Sequence, residues 1–383
     1  MFHQISSSRL AGVQSAIAGL KVAGTSLVGA SKSGSGFFAV GQSDDYGIYY
    51  FVPKIATFLN VSAELAYHLF FYFTLVLSFS IGFFLMCQVF EKLLSRVICF
   101  FCLAALFVVT CYVWGVYIFM VACPVLLVSL AIYIFHKRLN VIFLSFLLFL
   151  SGVFCYFSHF IRAYSCVAAL LFIAIIIFFA RDYTRKEKFL LLVFLSFGFA
   201  CSLMYVKYLF EARDNFLAEH GKNSFVVETE KKHVFWHATL GGLGFVNNEY
   251  GIKFDDSTIC KYVYKKFPEV KRYPSVEYEL AAKKCVFAFI KEKPKFVLFN
   301  YFAKLGIIFL YFIIFANIGI LCAVSRRKLL ILDIAFFVAA VFSSIFGVLT
   351  LPNTIYLLGF IAVATLWGMI SICFYVEKLN KFD

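Results

Sequence analysis

Charge is scarce in this chain. Only 15% of its 383 residues are charged, against about 25% in a soluble domain, which excludes a soluble globule of this size. Proline is scarce as well: there are six, and Pro124 alone interrupts a long apolar run, so the other runs can stay helical. Nucleotide fingerprints are missing. The Gly241-Gly242-Leu243-Gly244 stretch follows no strand, and HExxH fails because Val234 follows His233. The N-terminal segment is not expected to be a secretory leader, since it lacks a charged start, a compact apolar centre and a clean cleavage site.

What is present is apolar and aromatic: 63% hydrophobic residues, with 52 Phe and 22 Tyr. A run of about 20 apolar residues crosses the hydrocarbon as a helix, because lipid offers the backbone no other hydrogen-bond partner. Nine such runs are predicted to span, near 66–90, 97–112, 115–135, 141–160, 163–180, 189–206, 298–324, 329–350 and 354–376. A weaker segment, 11–30, is rich in Gly, Ala and Ser and carries Lys21; it is read as a marginal first helix. The expected fold is an all-α polytopic membrane protein of nine to ten transmembrane helices. A mainly helical polar module of roughly ninety residues, 207–297, holds twelve of the 21 acidic residues. The chain thus divides into 1–40, a first loop at 41–65, a six-helix block at 66–206, the module, and a three-helix block at 298–383.

The formal charge of +14 does not point to nucleic acid. Lys and Arg gather in short connections at 91–96, 136–138, 181–188 and 325–328 and in the tail from Glu377, while the alternate turns are nearly uncharged. The positive-inside rule then places the basic set in the cytoplasm, with 41–65 and 207–297 outside, in a multi-pass protein of the cell membrane. Ten of the twelve Cys lie in apolar runs as small hydrophobes; Cys260 and Cys285 lie in the module and could pair in an oxidising exterior.

Three polar groupings fall on the expected outer face. Asp44 and Asp45, followed by Tyr46, open the first loop, and 51–65 reads as an interfacial amphipathic helix. Paired carboxylates are most often helix caps; at a membrane surface beside aromatic rings they also suit a general base for a lipid-borne substrate. His159 and Arg162 occupy the turn after 141–160. Arg at a helix end commonly snorkels, and its planar fork also suits a phosphate. In the module, His233, Trp236, His237 and Glu249 are read as lining a polar aromatic pocket. His233 and His237 share a helical face, a weak metal signal, so no metal is assigned and no cofactor is expected. Asp255 and Ser275 read as caps of two scaffold helices.

The acidic first loop, the amphipathic helix after it, the many spans and the late polar loop resemble the GT-C class of membrane glycosyltransferases. That class includes protein mannosyltransferases and the enzymes that add aminoarabinose to lipid A. The resemblance covers the architecture of most of the chain and two motif positions. It implies a sugar donor on a polyprenyl phosphate, an acceptor that is a lipid, glycan or protein, a base at Asp44 or Asp45, and donor phosphate held by Arg162 with His159. Two alternatives remain: an O-antigen-type polymerase or ligase, for which the module offers only Arg213 and Arg272, and a transporter, for which the span centres are nearly devoid of ionisable residues.

Overall fold

The computed structural model describes residues 7–31, 36–41, 45–113, 115–220, 235–270, 272–273, 275–326 and 330–379. The chain starts with helix α1 (Ser7–Ala23), an antiparallel hairpin of β1 (Val28–Ala30) and β2 (Phe37–Ala39), and helix α2 (Ile48–Leu59). The spans follow: α3 (Ala63–Val89), α4 (Leu93–Val113), a 3₁₀ turn (Val116–Ile118) leading into α5 (Phe119–His136), and α6 (Val141–Ile161). Next come the short α7 (Val167–Phe179) and the long α8 (Arg185–His220). The module contributes α9 (Phe235–Gly242), α10 (Asp256–Lys266) and α11 (Val276–Glu292). The chain closes with α12 (Pro294–Ala316), α13 (Gly319–Arg326), α14 (Leu330–Leu349) and α15 (Leu358–Leu379). Among the described residues, eight helices are long and apolar enough to cross a bilayer. The fold is an all-α polytopic membrane protein.

Four expectations change. The 11–30 segment is not one continuous helix: α1 ends at Ala23, Gly24 takes a positive φ of 65°, and the chain continues into the hairpin. The 163–180 run is helical only from Val167 to Phe179; 13 residues rise about 20 Å, short of a bilayer core of about 30 Å. The 298–324 run breaks at Asn317 (φ 46°, ψ −132°), and α13 restarts in a new direction with Gly319 against Gly368 of α15. Finally, 207–220, assigned to the polar module, is not separate from the spans. It continues α8, with Arg213 2% exposed and its guanidinium on Asp214.

Packing follows from the shape of the side chains. The span Val116–His136 and α15 are the most enclosed, and the other helices surround them. α6 and α8 lie backbone to backbone at Gly152 and Gly198, where a Cβ on either would strike the other helix's carbonyls.

The two ends of the bundle differ. At one end Lys92 Nζ donates to the Val376 carbonyl, the Lys92 amide to Glu377, and Arg138 pairs with Glu187; His136 stacks on Phe374. The basic connections therefore meet at a common end. Near it, Trp367 Nε1 donates to Asp333 Oδ1 at 2.9 Å.

At the opposite end sits the module, packed around Leu240, Val263, Tyr278 and Ala282. Asp255 caps α10 by accepting from the Thr258 amide, Ser275 caps α11 by accepting from the Tyr278 amide, and Pro294 opens α12. Asn300 and Lys304 of α12 are fully buried. Asn300 Nδ2 donates to the Leu243 carbonyl at 2.8 Å, which ties the module to α12, and Lys304 Nζ donates to the Val348 carbonyl at 3.0 Å, which joins α12 to α14.

Candidate functional site

The site is built where the first loop meets the end of α6. The Gly47 amide donates to the Phe160 carbonyl at 2.8 Å, and a Cβ at Gly47 would strike Ile161. Only glycine permits this approach, and it sets Asp45 beside the His159–Arg162 turn. Asp45 is not an exposed cap as the sequence suggested. It is 1% exposed, and Arg9 of α1 gives its Nε to Oδ2 at 2.8 Å. Burial works against the Arg9 charge, but the carboxylate more than offsets this and holds the guanidinium above its ordinary pKa. Burial, reinforced by the Asp45 charge, pushes the Tyr49 phenol up, so it stays a neutral donor. The sequence reading missed Arg9, which lies 36 residues from its partner, just ahead of the 11–30 segment.

Arg162 ends α6 and lies with its guanidinium 4.5 Å from the centre of the Tyr117 ring. A cation on an aromatic face is held in place without losing its donors. His159 takes part differently. Its Nδ1 accepts from the Tyr164 amide at 3.0 Å, so the neutral ring carries its proton on Nε2. That bond supports Tyr164 in a left-handed conformation, φ 65°, a strained geometry for a residue with a side chain.

Directly beyond this turn lies a cavity of about 370 Å³. α5 contributes Met120 and Pro124, α7 Val167 and Ala168, α14 Phe342 and Phe346, and Phe235 of the module also lines it. Its surface is nearly all apolar. One polar group stands out: Ser165 is 4% exposed, lines the cavity, and its hydroxyl has no hydrogen-bond partner among the described residues. Ser95, Ser129 and Ser145 also carry buried hydroxyls without partners among the described residues, and of these four serines only Ser165 lines this cavity. A lone serine in an apolar run gave no sequence signal.

The remaining predicted residues are placed as follows. Tyr46 packs edge-on against Phe210 of α8 at 5.1 Å. Asp44 and His233 lie outside the described residues. Trp236 packs on Phe287 beneath Lys283. His237 is 3% exposed: its Nδ1 meets the Tyr278 hydroxyl at 2.8 Å, its Nε2 meets Asp256 at 3.1 Å, and its ring lies against Tyr273. Glu279 accepts from the Trp236 and His237 amides and so caps α9. His237 is thus buried in the module and bonded on both ring nitrogens, to the buried Tyr278 and to Asp256 at the surface. Glu249 is exposed in a turn, organised by Asn248, which bonds Val246, Tyr250 and Ile252.

The Gly47 contact thus joins the loop carrying Asp45 and Tyr46 to the end of α6 that carries His159 and Arg162, while His237, Trp236 and Glu249 belong to the module. Other residues join the module to the site: Phe235 at the cavity, and Phe254, which meets Tyr356 as Tyr356 meets Tyr117. Cys260 and Cys285 are free thiols, and no group of His, Cys, Asp and Glu among the described residues could hold a metal ion. Comparison of the chain with known protein families, with curated proteins and with solved structures finds no match, so its function is argued from its own residues.

Proposed function

We propose that the chain is a membrane glycosyltransferase that moves a sugar from a polyprenyl-phosphate donor to an acceptor at the extracytoplasmic face. The observation that carries this reading is the junction of two chemistries at one turn. An apolar cavity with a single unpartnered hydroxyl, Ser165, abuts a turn bearing Arg162 and His159. Isoprenoid carbons fit the apolar part, and a phosphate or sugar oxygen fits Ser165 and the cations. A transporter would need polar groups along a path through the spans, whereas this cavity lies at the module end.

In this reading the acceptor hydroxyl attacks the anomeric carbon, the bond to the polyprenyl phosphate breaks, and the leaving phosphate's charge meets Arg162 and His159 Nε2–H. A carboxylate paired with a guanidinium is a weakened base, so Asp45 orients the loop through Arg9. The proton then passes to Asp44, its neighbour in sequence. The test is an assay of the purified protein with polyprenyl-phosphate sugars, following release of the lipid phosphate. Release that depends on an added acceptor supports the reading; no turnover with any lipid-linked sugar overturns it.

A further inference from the structure

The module carries a second cavity, of about 280 Å³, between the C-terminal ends of α10 and α11. Lys266, Lys284 and Lys293 line it together with Tyr250, Tyr262 and Phe267, and one carboxylate, Glu292, lines it as well. Two ammonium groups lie over rings, Lys284 at 5.6 Å from the Phe267 centre and Lys293 at 5.6 Å from the Tyr250 centre. Lys266 and Lys293 close helix C-termini, where the dipole favours a cation. That accounts for each of them alone, but it does not account for Lys284 or for the hollow they share. Three ammonium groups against one carboxylate leave the cavity positive.

Its position supplies the second observation. Lys293 precedes Pro294, the first residue of α12, so the cavity sits where the chain enters the apolar bundle. Further along α12, Leu298, Phe299 and Phe302 are 57%, 62% and 67% exposed, a bare apolar face that begins five residues after Lys293. Basic pockets at the ends of membrane helices recognise anionic headgroups, and Tyr rings prefer the same depth.

We propose that this cavity binds the phosphate of an acidic phospholipid. The phosphate is held by Lys266, Lys284 and Lys293, the headgroup hydroxyls rest against Tyr250 and Tyr262, and the acyl chains run down the exposed face of α12. The site is separate from the apolar cavity and does not depend on the transferase reading.

The test titrates the full-length protein in neutral detergent with short-chain phosphatidylglycerol and, in parallel, phosphatidylcholine, reading binding by the shift in thermal unfolding. A lysine near an anionic lipid is worth about 1 kcal/mol, or about fivefold in affinity. The triple variant Lys266→Gln, Lys284→Gln, Lys293→Gln should therefore weaken phosphatidylglycerol binding by about tenfold or more. A charge-matched control, Lys207→Gln, Lys253→Gln, Lys261→Gln, should leave it unchanged. Equal losses in both triples, or no preference for phosphatidylglycerol over phosphatidylcholine, overturn the site. Glycerol 3-phosphate is the third arm. If it displaces the lipid at similar concentration, the cavity recognises a free phosphate and the lipid assignment falls; if it does not, the acyl chains on α12 are part of the recognition.

Discussion

Arg9 Nε donates to Asp45 Oδ2 at 2.8 Å, and the carboxylate it holds is 1% exposed. This contact pins α1 against the start of α2 and fixes the loop that lies against the end of α6. Removing one partner strands a charge in a poorly hydrated place. Arg9→Ala should cost about 2–4 kcal/mol, below the full value for a fully buried pair because 30% of the arginine side chain reaches solvent. The double variant Arg9→Ala, Asp45→Ala should recover part of that loss. Thermal unfolding of the four proteins in detergent measures the coupling, and additive losses would show that the pair contributes nothing jointly.

The two adjacent acids should separate in their effects. Asp44→Asn leaves an amide that cannot take the acceptor's proton, so turnover should fall by about 10²–10⁴-fold with little change in stability. Asp45→Asn should lower stability by about 1–3 kcal/mol because the Arg9 charge loses its partner. Turnover measured alongside melting temperature distinguishes them. The reverse pattern would make Asp45 the base.

Ser165→Ala should give opposite signs in two measurements. Without ligand it removes a buried, unpartnered hydroxyl, so stability should hold or rise by up to about 1 kcal/mol. With the lipid-linked donor, KM should rise severalfold as one ligand contact disappears. A stability loss with unchanged KM would mean that the hydroxyl serves the fold.

Arg162→Lys keeps the charge and loses the planar stack on Tyr117. Donor use should weaken by about tenfold, from about 1–1.5 kcal/mol of lost cation–π and bidentate contact. Abundance should be normal. An unchanged KM would leave Arg162 as an interfacial cation.

The module should loosen in acid before the membrane bundle does. Hydrogen bonds from Ser257 and Thr258 hold the Asp255 carboxyl down at about 2, below its ordinary value of about 3.9. A depressed carboxyl stabilises above its unfolded pKa, so the α10 cap is intact above pH of about 4 and is lost as pH falls towards about 2. Amide exchange at Thr258 and Ile259 should accelerate in that window in the wild type. In Asp255→Asn, which cannot lose a charge there, it should stay flat.

Much of the fold was legible because lipid imposes a simple rule: long apolar runs must be helices, and their order follows from the chain. The sequence also determined the caps at Asp255 and Ser275 and the helix start at Pro294, since these are local bonds between near neighbours. It named Asp45, His159 and Arg162, because polar groups at the ends of apolar runs stand out. Only tertiary structure decided what surrounds them. Arg9 finds Asp45 across 36 residues, Gly47 lets the loop touch α6, and Ser165 faces a cavity assembled from helices far apart in sequence. The shortness of α7, the break at Asn317 and the straight run of α8 past the bilayer length were also beyond the apolar pattern. Hydropathy reports how much of a segment prefers lipid. Where a helix stops depends on single residues in unusual backbone conformations, such as Tyr164 and Asn317, and their neighbours in space hold those conformations in place.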